Sequence, residues 1–337
     1  MNVLITGGAG FLGARLAREL LARGVLRGQA IERLVLADLY APRDEALSED
    51  RRVHLVTGPL LERLQALPDR PFDAVFHLAS AVSAECEADF DLGLRSNLDT
   101  TRALLDRCRS QGGSPLFVFS SSVAVYGRDP ALGMPEVIED HTLPTPQSSY
   151  GVQKFVCEQL VADYTRKGYV DGRAARLMTV SVRPGRPNGA ASSFLSGIVR
   201  EPLAGEPATC PVDPDTEVAL SSPATAIAGL LAVAECDREA FGGRTAINLP
   251  ALTVTVRAMI DALAAVAGAQ VLQLLRFEPD ETIQRIVGGW PARFDSSRAR
   301  ALRLPRDTDF REVVLQYVRN HPQAIRHAAA LAAAGAR

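Results

Sequence analysis

A run of seven residues near the N-terminus constrains this chain most. Gly7-Gly8-Ala9-Gly10-Phe11-Leu12-Gly13 follows directly on an apolar strand-like stretch, Met1-Asn2-Val3-Leu4-Ile5-Thr6. It leads at once into Ala14-Arg15-Leu16-Ala17-Arg18-Glu19-Leu20-Leu21, where apolar residues recur at helical spacing. Strand, glycine-rich turn and helix in that order form the setting of a dinucleotide fingerprint. Each glycine answers a separate steric demand. Gly7 permits the tight turn, Gly10 lets the backbone approach a pyrophosphate, and Gly13 lets the helix pack closely on the sheet. The helix then turns its free amides and positive dipole end toward the phosphates. Phe11 and Leu12 lie inside this contact set. The spacing is G-x-x-G-x-x-G rather than G-x-G-x-x-G, so the run by itself also fits an ordinary strand–helix turn.

The chain that follows alternates strands with helices. Residues 33–38 read as a second strand ending in Asp38, whose carboxylate suits both adenosine ribose hydroxyls and repels a 2′-phosphate. That favours NAD over NADP. Further strands are expected at 53–58, 73–80, 115–119 and 176–182, with helices at 91–110 and from about 150 to 166. The fourth strand ends in Leu78-Ala79-Ser80, small enough to pass beneath a cofactor. This alternation predicts an α/β fold, a doubly wound parallel Rossmann sheet.

Residues 1–183 are assigned to the NAD-binding part, with strand and helix returns near 224–267. The proline-rich segment 184–223 and residues 268–310 are assigned to a smaller C-terminal substrate-binding lobe. Within these parts a helix is expected at 193–200, strands at 245–249 and 270–277, and a helix at 254–267. The alanine-rich tail reads as a helix end or frayed terminus.

The 337 residues carry 37 basic and 39 acidic side chains without a basic patch, which argues against nucleic acid as a partner. No apolar run is long enough to span a bilayer, and the N-terminal one is too short for a signal peptide. The five cysteines show neither paired spacing nor metal-ligand spacing with the five histidines. The expectation is a cytoplasmic protein with reduced thiols and no metal, acting on a small molecule.

Only two of the 37 basic residues are lysines, and one of them, Lys154, stands four residues after Tyr150 at a helix start. Residues at i and i+4 share a helix face. A phenol titrates near pH 10, and bringing it to about 7 takes roughly 4 kcal/mol of differential stabilisation. A neighbouring ammonium, a hydroxyl donor and the cofactor's own positive charge would have to supply this together. Six tyrosines and two lysines in 337 residues give only about 0.04 chance pairs at this spacing.

Taken together, these motifs resemble the extended short-chain dehydrogenase/reductases, the NAD-dependent epimerase/dehydratase family typified by UDP-galactose 4-epimerase. The resemblance rests on Gly7-x-x-Gly10-x-x-Gly13, Asp38, His77-Leu78-Ala79, Asn97, Ser120-Ser121-Ser122-Val123-Ala124-Val125-Tyr126-Gly127 and Tyr150-x-x-x-Lys154. It implies that Tyr150 is the acid/base, that Lys154 holds the nicotinamide ribose, and that Ser122 is the catalytic hydroxyl, with Ser121 the competing choice. Cofactor contacts are implied for Leu60, Leu78, Ala79, Ser80, Asn97, Ser120 and Pro184. A homodimer built on the helices near 91–110 and 150–166 is implied as well.

Two departures narrow the substrate. Gly58-Pro59-Leu60 replaces the family's Gly-Asp-Leu, and Glu217–Pro223 lacks the phosphate-binding arginine of nucleotide-sugar enzymes. The run from Arg183 to Pro211 instead resembles a branch that oxidises the 2-hydroxyl of a four-carbon sugar acid, D-erythronate, with NAD. Arg186 then becomes the candidate for the substrate carboxylate, because a guanidinium grips a carboxylate through two parallel bonds. Ser80, Ser83, Ser122, Tyr150 and Asn188 become candidates for substrate hydroxyl contacts.

Overall fold

In the computed structural model, residues 1–185 and 191–335 are described. Seven strands form the main sheet: β1 Asn2–Thr6, β2 Arg33–Asp38, β3 Val53–Thr57, β4 Ala74–His77, β5 Leu116–Ser122, β6 Asp171–Leu177 and the distant Ile247–Asn248. Their order is Ile247–Asn248, β6, β5, β4, β1, β2, β3, and every pairing is parallel. Buried strands of a parallel sheet need apolar residues on both faces, and these strands supply them. Val3 and Ile5 of β1 join Leu34 and Leu36 of β2 in one core. Leu4, Val35 and Ala37, one residue out of step, fill the core on the other face.

Helix α1 Phe11–Arg23 packs on the first face. The second face carries α2 Thr100–Gln111 and α3 Ser149–Arg166, through Leu104, Leu105, Cys108, Cys157 and Val161. A third core gathers residues 182–334. It includes α4 Phe194–Leu203, α5 Val256–Ala267, α6 Phe310–Asn320 and α7 Ala328–Gly335. Thr179–Val180, Glu217–Ser221 and Leu252–Thr255 form a small mixed sheet beside it. The alanine-rich tail is thus a docked helix, with Ala330 wholly buried.

Some boundaries differ from the sequence reading, for physical reasons. The strand expected at 176–182 starts instead at Asp171, inside a stretch that looks too polar for a sheet interior. Arg173 explains it. Its side chain is fully buried, but the guanidinium is satisfied by Asp171 at 2.7 Å and the Val233 carbonyl at 2.7 Å. After Leu177 the chain leaves the main sheet, and Thr179–Val180 pairs in the small one. Residues 269–274 form a 3₁₀ helix, leaving only Leu275–Phe277 as strand. Among the described residues, no helix is long and apolar enough to cross a membrane.

Candidate active site

The carboxyl ends of β1, β4 and β5 meet where ligands bind in such sheets. At β1 the glycine turn shows what each position demands. Gly7 has φ +69°, and a Cβ there would lie 2.8 Å from the Ala79 amide nitrogen. A Cβ on Gly13 would lie 2.0 Å from the Gly7 carbonyl oxygen. Gly8, not singled out from sequence, is equally confined, with Leu36 Cβ 2.9 Å from its would-be Cβ. Gly10 differs. Its would-be Cβ meets nothing nearer than the Gly7 carbonyl oxygen at 3.2 Å. The room left beyond that one tight contact, together with a helix start that has neither a side-chain cap nor an acidic residue in its first turn, fits a pyrophosphate.

Asp38, at the end of β2, accepts hydrogen bonds from the Ala9 and Gly10 amides at 2.9 and 3.1 Å through Oδ2. Its carboxylate therefore sits beside the turn. Leu60 opens a short helix just beyond β3 and is buried. Leu78 and Ala79 are tied back to Thr6 at 3.1 and 3.2 Å. His77 bridges Thr6 and Thr101 at 2.6 and 2.8 Å, and burial pushes its pKa down to about 3, so it serves as a neutral strut.

Asn97 lies in a π-helical turn, Leu94–Asp99, and is almost completely buried. Its Oδ1 accepts from the Ser80 hydroxyl at 2.9 Å and the Ala81 amide at 2.7 Å. Its Nδ2 donates to Gln153 Oε1 at 2.7 Å. Ser83 starts the following helix, Ser83–Ala88. Ser120 donates to the His77 carbonyl at 3.0 Å.

The adjacent serines face different partners. Ser121 is buried and donates to Glu158, which receives Arg176 Nε and Nη2 at 2.8 and 2.7 Å. Arg176 also reaches the Tyr126 hydroxyl, which donates to Asn248 at 3.1 Å. Ser122 accepts from the Ala124 amide at 3.1 Å, and its hydroxyl lies near enough to the Tyr150 phenol to pull the phenol's pKa down. Thus Ser122, rather than Ser121, stands at the phenol.

Ser148 caps α3 through the Gly151 amide at 3.1 Å, which places Tyr150 in the first turn. Lys154 is buried, with Nζ 2.9 Å from the Ser120 carbonyl and 5.6 Å from the Tyr150 ring centroid. Burial pushes the Tyr150 phenol up to about 12, while the Ser122 and Ser80 hydroxyls and the Arg183 charge pull it down. Burial pushes Lys154 down to about 8. Desolvation therefore outweighs the pulls in the opposite sense, and the cation among those pulls is Arg183.

Several of these residues escaped the sequence reading. Arg183 places its guanidinium 5.9 Å from the centroid of the Phe11 ring, with its backbone amide held by Ser196 at 3.0 Å. Gly151 is another: a Cβ there would lie 2.1 Å from the Ala124 carbonyl oxygen. Only the close approach of two elements reveals it. Pro184 is half-buried at the end of the same segment as Arg183. The expected substrate contacts Arg186 and Asn188 lie outside the described residues.

Comparison with known proteins gives a consistent picture. Residues 3–217 match the NAD dependent epimerase/dehydratase family. A D-erythronate dehydrogenase of Cupriavidus necator is 52% identical over 94% of this chain and 98% of its own length. A D-erythronate dehydrogenase of Haemophilus influenzae is 43% identical over 94% of this chain and 99% of its own. The crystal structure of a nucleoside-diphosphate-sugar epimerase from Agrobacterium tumefaciens superposes with a TM-score of 0.86 at 38% identity, covering 96% of this chain and 95% of that one.

Proposed function

This chain belongs to the NAD-dependent epimerase/dehydratase family and is an oxidoreductase, and from that premise we propose that it uses NAD to oxidise the 2-hydroxyl of a small sugar acid, D-erythronate, to the 2-oxo acid. The observation that carries the chemistry is the convergence of the Ser122 and Ser80 hydroxyls on the Tyr150 phenol, with Lys154 buried alongside. The two relatives that match over nearly their full length support the substrate.

In this reading the glycine turn, Asp38 and Lys154 would hold NAD, which would supply the hydride acceptor for C2. Tyr150 receives the hydroxyl proton, so it must act as the phenolate, and Ser122 donates to the developing carbonyl oxygen. Lys154 binds the nicotinamide ribose and lends its charge to the phenolate. The uncapped amides at Phe11 and Leu12 take the pyrophosphate, and Asp38 takes the adenosine ribose. Leu60, Leu78, Ala79, Asn97, Ser120 and Pro184 shape the rest of the cofactor cleft. Arg186 remains the candidate for the substrate carboxylate, and Arg183 adds a second guanidinium near the phenol. A homodimer is part of the proposal, supported by the exposed apolar side chains Phe90, Val152 and Val156, which are 60%, 46% and 38% accessible.

NADH absorbance tests the reading. Purified protein is mixed with NAD or NADP and a panel of four- to six-carbon sugar acids. Turnover with D-erythronate and NAD is the expected result. Turnover only with six-carbon acids would keep the chemistry and replace the substrate. The similarity to the Agrobacterium epimerase favours one second reading, nucleotide-sugar epimerisation. It predicts silence across the panel and sugar interconversion without net NADH release.

A further inference from the structure

Arg183 is the point at which the third core reaches the glycine turn. Its guanidinium carbon lies 5.9 Å from the centroid of the Phe11 ring. Phe11 is the first residue of α1, and the start of that helix has no side-chain cap and no acidic residue in its first turn. A guanidinium and a set of free helix amides thus meet at one residue, and both attract anions. Among the described residues the guanidinium has no hydrogen-bond acceptor and no carboxylate partner.

The backbone beneath this side chain is held on both sides. The Arg183 amide donates to Ser196 Oγ at 3.0 Å, and the Arg183 carbonyl accepts from Arg200 Nη1 at 2.8 Å. Ser196 and Arg200 stand four apart in α4 and share one face of that helix. Both are buried, and Arg200 is paired with Glu201. Two residues before Arg183, the Ser181 hydroxyl donates to the Leu195 carbonyl and the Ser181 amide to the Ser221 carbonyl, each at 3.0 Å. A buried guanidinium is costly unless its donors are used. Here one donor serves the carbonyl of an arginine whose own side chain is exposed. Fixing the amide and the carbonyl of a residue fixes the direction of its Cα–Cβ bond. An arginine that only solvates a surface needs no such hold.

We propose that Arg183 is an oxyanion clamp of the cleft, aimed by Ser196 and Arg200 across the start of α1. Its ligand is a group that presents two oxygens to the fork of a guanidinium. The function proposed above brings two such groups into the cleft, the pyrophosphate of NAD and the carboxylate of the hydroxy acid, and the inference rests on that reading. The clamp joins the third core to the glycine turn through the ligand, so each side holds the anion from a different part of the chain.

Arg183→Met keeps the length of the side chain and removes its charge. Melting is expected to stay at the wild-type value, because the exposed side chain makes no hydrogen bond among the described residues. Calorimetry then measures two ligands. ADP-ribose carries the pyrophosphate without the nicotinamide. D-erythronate is added to protein loaded with NADH, a pair that cannot react. At least about a tenfold loss of affinity is expected for one of them, the scale of a lost bidentate, charge-assisted contact. Loss with ADP-ribose assigns the clamp to the pyrophosphate, and loss with D-erythronate alone assigns it to the carboxylate. Ser196→Ala frees the Arg183 amide and leaves the guanidinium present. It should weaken the same ligand by about two- to fivefold, and add nothing in an Arg183→Met background.

Wild-type affinity for both ligands in Arg183→Met overturns the inference. An equal Ser196→Ala loss in both backgrounds overturns the aiming role of α4. Failure of the proposed function looks different. A wild-type protein that binds ADP-ribose but neither binds nor oxidises D-erythronate refutes the substrate, and the ADP-ribose comparison alone then decides for or against Arg183. A wild-type protein that binds neither ligand refutes the function and the clamp together.

Discussion

Replacing Gly151 with alanine sets two effects against each other, and the structure decides which wins. Gly151 lies in the first turn of α3, and alanine is favoured over glycine in a helix by about 1 kcal/mol. On propensity alone the substitution stabilises. The added Cβ, however, would lie 2.1 Å from the Ala124 carbonyl oxygen and 3.0 Å from Pro146 Cβ. Carbon and carbonyl oxygen approach no closer than about 3.3 Å, so the helix start or the serine turn must move by more than 1 Å. The first obstacle is backbone, which cannot rotate away. Overpacking of this kind costs about 1–3 kcal/mol, which outweighs the propensity gain. The expected net loss is about 1 kcal/mol, which for a chain of 337 residues is a melting shift of roughly 1–2 °C.

Catalysis should suffer more. The displaced elements carry Tyr150 and Ser122, and a misplacement of about 1 Å can cost on the order of a hundredfold in rate. The glycine turn at β1 is untouched, so NAD affinity should change little. Calorimetric melting, NAD titration and steady-state kcat together check this. A Gly151→Ala enzyme with wild-type kcat, or one that loses rate only as far as it loses NAD, would refute the reasoning.

Other substitutions probe the site from different sides. Gly10→Ala should cost no more than about 1 kcal/mol of stability, since its Cβ would press on the Gly7 carbonyl oxygen at 3.2 Å and on no other close neighbour, yet weaken NAD binding at least about tenfold by filling the pyrophosphate cradle; equal affinity would contradict that cradle. Asp38→Ser should lower the NAD-to-NADP preference in kcat/KM through loss of the carboxylate, and an unchanged ratio would remove Asp38 from cofactor choice. Lys154 has a folded pKa near 8, below its usual 10.5, so the unfolded chain binds more protons between those values and the folded state gains stability as pH rises through them. At 1.36 kcal/mol per unit this is a gain of about 3 kcal/mol, which Lys154→Met should lack. Subtracting the two melting profiles isolates it from the cysteines, whose raised values act in the opposite sense.

The parts of the site legible in the sequence are those whose chemistry is local. The glycine turn, Asp38 at the end of β2 and the Tyr150–Lys154 pair each declare themselves by spacing within one element or one turn. Gly8 and Gly151 are invisible there, because their confinement comes from Leu36 and Ala124 across the fold. Arg173 shows the same limit for secondary structure. A charge inside β6 reads as a break until the carbonyls at the end of the helix Pro223–Glu235 are seen to receive it. The choice between Ser121 and Ser122 also needed the third dimension, since only the side-chain partners differ. Arg183 was hidden for a simpler reason: in a chain this rich in arginine, one more guanidinium carries no signal until its neighbours are known.

The strand Ile247–Asn248 closes the main sheet beside β6, although some seventy residues separate the two. Its Asn248 accepts from the Tyr126 hydroxyl that Arg176 also reaches, so the buried Glu158–Arg176 pair lacks its lid until that strand arrives. On the ribosome, therefore, strands β1 to β6 emerge first but cannot seal the edge of their sheet alone. A stalled nascent chain ending before residue 247 should leave β6 as an open edge with an ion pair partly in water. The sheet edge beside Tyr126, Glu158 and Arg176 is thus finished by the part of the chain made late, and the order of synthesis delays the complete sheet until most of the chain has been translated.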